Sequence, residues 1–223
     1  MLIDLHCHTK YSGDNRLEPV ELIRTARERG LDAVCITEHD SFCASEPVEK
    51  TAQKEGFLVF RGAEINTDKG HILTFGVRDD SWKSKNNGYY SRINDIRPKV
   101  EAGGGILVPA HPFRMVGAAS ASNSLFDMDY IAAMEVLNGE NTTHENKMAT
   151  EAWAKLAIPG TGGSDCHYTN MVGAFATSFE NKVSTIAELI GEIIAGRVAP
   201  AYRDIDGVYR TIERGSDTSR INT

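Results

Sequence analysis

The chain has 223 residues, of which 41% are hydrophobic, so it is long enough for one large α/β domain with a substantial core. Its net charge of −7 argues against a broad basic surface for nucleic acid, although a local basic patch stays compatible with it. The four cysteines form no CxxC pair, no run approaches the roughly 20 apolar residues of a membrane span, and a predicted strand starts almost at Met1. We therefore expect a cytoplasmic protein with reduced thiols, no signal peptide and no membrane partner.

Apolar runs alternate with segments of helical spacing along the chain. Strands are predicted at residues 2–9, 32–37, 57–60, 70–76, 106–110, 133–137, 158–167, 173–179 and 198–202. Helices are predicted at residues 18–29, 47–55, 92–102, 146–156 and 185–195. Pro98 is expected to kink the third helix or to mark a restart. Loops are predicted at residues 10–15, 78–92 and 114–125, and a loose polar tail at 203–223.

This alternation predicts βα units and a mostly parallel sheet, arranged as a doubly wound sheet or as a compact barrel. Polar residues follow many of the predicted strands. In a βα barrel the active site lies at the carboxyl ends of the strands, and a closed barrel would bring these residues to one site. An open sheet would spread them apart, so the pattern favours closure.

The first predicted strand ends in His6-Cys7-His8. Successive side chains on a strand point to opposite faces, so His6 and His8 share one face and Cys7 points away. Two imidazoles on one face at the end of an apolar strand form half of a metal site. The alternative is a pair of ordinary core or surface histidines, and the similar residues after later strands weigh against it.

A set of motifs in chain order resembles those of the PHP (polymerase and histidinol phosphatase) superfamily. The motifs are His6-x-His8, Asp14, Glu38-His39-Asp40, Glu64, His71, His111-Pro112 and Ser164-Asp165-x-His167. The resemblance implies a distorted (β/α)7 TIM-like barrel, with residues 1–202 as a single catalytic domain, and a metal site that hydrolyses phosphate esters. Many members have histidine in place of Asp14, so the chain is more similar to the general phosphoesterase branch.

The resemblance also implies how two or three divalent ions would be held. The first would be bound by His6, His8, Glu64 and Asp165; the second by Glu64 as a bridging carboxylate with His71 and His111; the third by Asp14, His39 and His167. Imidazole and carboxylate ligands suit Zn, Mn or Fe, with Mg also compatible. Two ions about 3.5–4 Å apart can lower the pKa of a bridging water, and the resulting hydroxide attacks phosphorus.

Four further residues are candidates for contact with the substrate. Arg114 could bind the phosphate through its fork of donors, or could be an ordinary surface arginine; Lys10 is a weaker candidate of the same kind. Asp40 could orient His39 or protonate the leaving group, but it could equally cap a helix. Asn138 could face the pocket or serve a turn.

The remaining candidates have plain structural interpretations. His144 is expected to be solvated. Cys7 and Cys166 alternate with ligands and should pack away from the metals. The run Gly160-Thr161-Gly162-Gly163 lacks the GK[ST] ending of a P-loop, and its glycines would instead let the backbone approach the site.

We therefore predict a metal-dependent phosphoesterase that hydrolyses a small phosphorylated metabolite or nucleotide. Two alternatives remain: a nuclease acting on nucleic-acid ends, and a non-catalytic PHP module stabilised by metal. The acidic charge disfavours the nuclease, and the full ligand set disfavours the non-catalytic module. The sequence leaves the substrate, the native metal and the oligomeric state open.

Overall fold

The computed structural model describes residues 1–83, 90–115, 120–218 and 221. The strands are β1 Leu2–Cys7, β2 Ala33–Ile36, β3 Leu58–Thr67, β4 Gly70–Phe75, β5 Ile106–Pro109, β6 Met134–Asn138, β7 Gly160–Gly163, β8 Phe175–Phe179, β9 Val198–Arg203 and β10 Tyr209–Thr211. The helices are α1 Pro19–Glu28, α2 Glu46–Glu55, α3 Ile93–Ala102, α4 Thr143–Lys155 and α5 Ile186–Ile194. Short 3-10 turns cover Lys10–Ser12, Cys43–Ser45 and Ser122–Asp127.

Eight strands form one curled sheet in the order β10-β9-β8-β1-β2-β3-β4-β5, and β6 pairs with β7 alone. The main chain links this pair to both sides: the Ala132 N–H donates to Leu107 O (3.0 Å) in β5, and the Asp165 N–H donates to His6 O (2.7 Å) in β1. The sheet therefore curls around a centre lined by β1, β3, β6 and β7. This is a mixed α/β fold with a half-barrel sheet.

The prediction of a mostly parallel sheet is wrong. Only β1–β2, β2–β3 and β6–β7 are parallel among the described strands, while β3–β4–β5 and β1–β8–β9–β10 are antiparallel. For β3 and β4 the reason is connection length: β3 ends at Thr67 and β4 begins at Gly70, and so short a turn can join antiparallel strands only. The structure shows an α/β fold, but it does not establish a closed (β/α)7 barrel.

The helices follow local sequence signals, with two differences from the prediction. A capping box between Thr142 and Glu145 starts α4 at Thr143, three residues before the predicted start. Helix α3 runs through Pro98 without a restart. Elsewhere α1 begins with Pro19 in its first turn and buries Leu22 and Ile23 against the sheet.

The C-terminal stretch is more ordered than the predicted loose tail. Tyr209–Thr211 forms β10 and pairs antiparallel with β9. Ile212 and Ile221 are buried in the apolar cluster that also contains Trp153 of α4. A loose tail was predicted because this stretch is polar and has no clear periodicity. The burial of these two isoleucines explains why it packs against the domain instead. Parts of the predicted loops, residues 84–89 and 116–119, and the chain end at 219–220 and 222–223 lie outside the described residues.

Apolar side chains fill the space between the sheet and the helices. One cluster joins Ile3 and Leu5 of β1 to Phe75, Val108 and Leu189. These contacts hold the carboxyl end of β1 at the centre of the curled sheet.

No helix within the described ranges combines the length and the hydropathy that crossing a bilayer requires.

Candidate metal centre

Two histidines carried by β1 form the centre of a buried polar cluster. The alternation of side chains along the strand places His6 and His8 on one face. Their Nε2 atoms lie 3.1 Å apart, and both side chains are fully buried. An isolated pair of imidazoles at this depth would be costly, so the groups around them decide what the pair can do.

Four side chains bring one donor atom each to a common point: His6, His8, Glu64 and Asp165. His6 Nε2 lies 3.3 Å from Glu64 Oε2 and 3.4 Å from Asp165 Oδ1. The matching distances from His8 Nε2 are 3.1 and 3.2 Å. Ligand atoms about 2.0–2.1 Å from a tetrahedral ion lie about 3.3–3.4 Å from one another, so the observed spacing fits one divalent ion.

Glu64 faces imidazoles with both of its oxygens. Oε1 lies 2.7 Å from His71 Nδ1 and 2.8 Å from His111 Nε2. Oε2 lies within 3.0–3.3 Å of ring nitrogens of His39, His8 and His6. Oε2 is nevertheless buried without a hydrogen bond to any described residue. A buried carboxylate oxygen in that state is unfavourable, and a bound cation would satisfy it.

A second group of donors lies on the solvent side of Glu64. His39 Nε2 is 3.0 Å from Asp14 Oδ2, and His167 Nε2 is 3.4 Å from the same oxygen. These three side chains are partly exposed, with Asp14 at 47%. His39 uses its other nitrogen towards Glu64, at 3.0 Å, so it connects the two groups. The structure thus brings the nine predicted ligands into one continuous cluster.

Charge coupling within the cluster shifts the pKa of its members. Burial alone would lower the pKa of His8, but Asp165 and Glu64 raise it to about 10. Burial opposes the charge on Glu64 and Asp165, yet the imidazole of His6 holds the pKa of both carboxyl groups well below the usual range. Burial lowers the pKa of His111. Without metal, protons on the imidazoles balance the carboxylates; a divalent ion can replace them.

Three residues of the site have a left-handed backbone: φ is 50° at Asp40, 29° at His111 and 52° at Asp165. Such conformations cost on the order of 1–3 kcal/mol each and persist only where the surroundings hold them. Each N–H donates a hydrogen bond within the site: Asp40 to Glu64 O (2.8 Å), His111 to Glu135 Oε2 (2.7 Å) and Asp165 to His6 O (2.7 Å). The backbone is thus fixed where the strands deliver their polar side chains.

Glu135 is the main residue that the sequence analysis missed. Its Oε1 accepts from His6 Nδ1 at 2.9 Å, and its Oε2 accepts from the His111 N–H and from Asn138 Nδ2. With Nδ1 of His6 as the donor, Nε2 is left free to bind a metal. A charged residue in the middle of the apolar strand Met134–Asn138 was the available signal.

His8 has a comparable support, which the sequence analysis also missed. Its Nδ1 lies 2.9 Å from Ser12 Oγ, and Ser12 in turn donates to the buried carboxylate of Glu38. Thr9 donates to Glu38 through its N–H at 3.1 Å. Glu38 therefore orients the loop after β1 instead of binding in the cluster itself.

The predicted substrate residues separate into two sets. Arg114 Nη2 donates to Asp165 Oδ2 (2.7 Å) and to Asn138 Oδ1 (2.8 Å), so both Arg114 and Asn138 line the cluster. Asp40 is exposed beside His39, accepts from the Asn66 N–H at 2.9 Å and caps no helix. The ammonium of Lys10 instead pairs with Glu18 on the surface, at 2.8 Å.

Close packing explains the glycine-rich turn. A Cβ on Gly163 would lie 2.4 Å from His6 Cβ and 2.8 Å from His6 N, so only glycine lets β7 approach β1. Cys7 and Cys166 are buried in the apolar cluster around Leu22, away from the donor atoms. His144 is exposed, as expected.

Comparisons with known proteins agree with these features. A family model described as PHP-associated matches residues 143–198, from α4 to the start of β9. An uncharacterized protein of Methanocaldococcus jannaschii is 28% identical over 148 residues, which are 62% of this chain and 82% of that protein. A 5'-3' exoribonuclease of Haemophilus influenzae is 34% identical over 65 residues, 29% of this chain and 23% of the relative. A protein of Caldicellulosiruptor saccharolyticus named as a probable phosphatase is 36% identical over 74 residues, 29% of this chain and 30% of the relative.

Three solved structures share the fold at 18% sequence identity. PsfC from Pseudomonas syringae has a TM-score of 0.68, with 92% of each chain covered. A candidate metal-dependent phosphoesterase from Bifidobacterium adolescentis has a TM-score of 0.59, with 92% of this chain and 98% of the other covered. An amidohydrolase from Chromobacterium violaceum, solved with bound sulfate and no metal, has a TM-score of 0.63, with 88% and 96% covered.

Proposed function

Since the matched family model and the relatives confirm the resemblance of this chain to the PHP superfamily, we propose that the protein is a metal-dependent phosphoesterase. Its substrate would be a small phosphorylated metabolite or nucleotide. The reaction is hydrolysis of a phosphate ester to an alcohol and phosphate. The named phosphatase relative and the phosphoesterase fold neighbour support this class of reaction.

The position of Glu64 is the observation that carries the proposal. One buried carboxylate faces His71 and His111 with one oxygen, and His6, His8 and His39 with the other. That arrangement suits a carboxylate shared by two cations. Three ring nitrogens lie within 3.3 Å of Oε2, yet none is aligned as a hydrogen bond, which suits donor atoms arranged around a cation.

The proposed ligands follow the two groups of donors. His6, His8, Glu64 and Asp165 would hold one ion; Glu64, His71 and His111 a second; and Asp14, His39 and His167 a third. Zn, Mn or Fe suit these ligands, and Mg is a further candidate. Divalent ions bound there would supply a water of lowered pKa and would offset the charge of the phosphate.

Arg114 is proposed to bind the phosphate of the substrate. The two oxygens of Asp165 face different partners: Oδ1 faces the histidines of β1, and Oδ2 accepts from Arg114. This contact fixes the guanidinium beside the cluster. Its Nη1 has no partner among the described residues, so it can donate to a phosphate oxygen.

Asn138 and Asp40 are proposed to act beside Arg114. Asn138 Oδ1 accepts from Arg114 Nη2, so Asn138 would orient the guanidinium towards the substrate. Asp40 lies on the exposed rim, next to His39 and tied to Asn66. From there it would give a proton to the leaving oxygen.

Hydrolysis of p-nitrophenyl phosphate by chelator-treated protein, reloaded separately with Zn, Mn, Fe or Mg, tests the proposal. We expect negligible turnover without metal and restored turnover with at least one ion. Absence of turnover with every ion, for protein shown by elemental analysis to be loaded, would favour the non-catalytic module. A screen of phosphorylated metabolites with the active ion would then identify the substrate class.

The similarity to the exoribonuclease supports a second candidate, hydrolysis at nucleic-acid ends. A short 5'-phosphorylated oligonucleotide and a mononucleotide, compared at equal concentration, distinguish the two. A kcat/KM for the oligonucleotide that exceeds that for the mononucleotide, and falls steeply with added salt, would favour the nuclease.

A further inference from the structure

A second cavity lies outside the metal cluster, between the end of β9 and the segment that precedes β8. Its volume is about 330 Å³. Two arginines line the cavity together with one acidic residue, one asparagine, one glycine and three apolar residues. The lining residues are Arg29, Arg203, Asp204, Asn170, Gly139, Met171, Ala174 and Ile205. None of the nine proposed metal ligands lines it.

Arg203 is one of the two cations of this cavity. Among the residues that the structure describes, its buried Nε has no hydrogen-bond partner and its guanidinium forms no ion pair. Gly207, in the turn that follows, lies against it: φ there is 83°, and an added Cβ would lie 2.5 Å from Arg203 Nη2. Arg203 is half-buried, and its buried Nε–H is a donor from which a bound anion could accept.

Arg29 adds a second positive charge to the same cavity. It donates to the backbone carbonyls of Val172 (2.6 Å) and Asn170 (3.0 Å), which are neutral partners. Burial, and next the neighbouring guanidinium of Arg203, lower the pKa of Arg29. The two cations therefore repel each other across the cavity.

The carboxylate of Asp204, which also lines the cavity, is already engaged. Its Oδ2 pairs with Arg210 Nε at 2.6 Å, and its Oδ1 accepts from the N–H groups of Val208 (2.8 Å) and Asp206 (3.1 Å). These bonds fix it in the turn between β9 and β10. Asp4, a buried carboxyl group, acts on Arg29 only from beyond ion-pair distance, so neither Arg29 nor Arg203 forms an ion pair in the described part of the chain.

We propose that this cavity is a binding site for a small oxyanion, the phosphate or carboxylate group of a metabolite, held between Arg203 and Arg29. Guanidinium groups bind such planar or tetrahedral oxyanions through paired N–H donors. The apolar wall of Met171 and Ala174 would contact the body of the ligand, and Ile205, 97% exposed, lies at the mouth. The volume is at the small end of the range for metabolite pockets, roughly 300–1,000 Å³.

Two segments connect this site to the metal cluster. Gly139 follows Asn138, which contacts Asp165, and Asn170 lies three residues after His167. A ligand bound between the arginines would therefore contact two segments, at Gly139 and at Asn170, that also supply residues to the metal cluster. The site is a separate one, and its existence does not depend on the proposed hydrolysis.

Calorimetric titration of metal-loaded protein with inorganic phosphate, and separately with succinate, tests the proposal. Phosphate bound at the metals contributes equally to all variants, so the difference between variants isolates the new site. Arg203→Met removes the charge and breaks no hydrogen bond with a described residue. Arg24→Met removes the same charge from the exposed face of α1 and is the matched control.

Wild-type protein and Arg24→Met should bind one more anion per chain than the metals account for, and Arg203→Met should bind it at least about tenfold more weakly. Phosphate or succinate, whichever shows this dependence, identifies the oxyanion. Should Arg203→Met fail to fold, Arg203→Lys is measured instead and should weaken binding about threefold or more. Isotherms that are the same for wild type and the folded Arg203 variant, with both probes, would overturn the proposal.

Discussion

Glu135 Oε1 accepts a hydrogen bond from His6 Nδ1 at 2.9 Å, at a depth where neither side chain is more than 1% exposed. The same carboxylate holds the backbone of His111 and the amide of Asn138. One residue outside the proposed ligand set thus contacts β1, β6 and the residue that follows β5 by two positions, and positions all three around the candidate metal centre.

Replacing Glu135 should therefore weaken metal binding without removing a ligand. In Glu135→Gln the hydrogen bond to His6 loses its charge, and metal affinity should fall about 10- to 100-fold. Competition titration against a chelating dye measures the affinity. Glu151→Gln, on the exposed face of α4, is the control and should bind as wild type. An unchanged affinity in Glu135→Gln would mean that Glu135 serves the fold alone.

Glu64→Gln should have a larger effect, because the amide keeps the shape of the side chain but cannot bridge two cations. We expect the variant to stay folded, to lose at least one bound ion per chain and to lose turnover. Elemental analysis and circular dichroism, performed on the same sample, measure the two properties. Wild-type metal content together with wild-type turnover would exclude the shared-carboxylate arrangement.

Arg114→Ala should lower kcat/KM about 10- to 1000-fold, which is about 1.4–4 kcal/mol of transition-state stabilisation. The physical reason is that the attraction of a guanidinium for phosphate grows as charge builds in the transition state. Arg114→Lys should recover part of the loss, since it restores the charge but not the fork.

Because Arg114 also contacts Asp165, the metal content of both Arg114 variants is measured in parallel. Steady-state kinetics at matched metal content separate the effect of Arg114 on the substrate from its effect on the proposed metal ligand Asp165. An Arg114→Ala enzyme with the kcat/KM of wild type would make Arg114 a structural residue only.

Gly163→Ala should destabilise the protein by about 1–3 kcal/mol, because the added methyl group collides with the backbone of His6. Gly191→Ala is the matched control: Gly191 lies inside α5 with nothing within 4 Å of an added Cβ. That change should stabilise the protein by roughly 0.5–1 kcal/mol. Chemical denaturation of both variants gives the two free energies of unfolding, and equal shifts would contradict the close approach of β7 to β1.

Metal binding to the metal-free protein at pH 8 should release protons. Burial lowers the pKa of His8, but its carboxylate neighbours raise it to about 10, so the imidazole is protonated at that pH and cannot bind a metal until it loses the proton. Metal affinity should accordingly fall as the pH falls. Calorimetry in two buffers of different ionisation enthalpy counts the protons, and a count of zero would contradict the raised pKa.

The sequence by itself determined which residues are candidates for the metal centre and their order along the chain. His6 and His8 could be assigned to one face because a strand alternates its side chains, and that alternation is a local property. The later motifs were recognised by their resemblance, in chain order, to those of the PHP superfamily, and Gly163 was recognisable as a point of close approach. The placement of His6 and His8 needs only these residues and their immediate neighbours.

Tertiary structure alone decided how the strands pair and which groups support the ligands. The direction of β4 and β8 depends on turn length and on the burial of distant partners, so the half-barrel sheet differs from the predicted parallel one. Glu135 approaches His6 across 129 residues, and Arg29 and Arg203 meet only once β9 has folded against the loop before β8. Contacts between residues so far apart in the chain leave no periodic signal in the sequence, because they are set by the packing of whole elements.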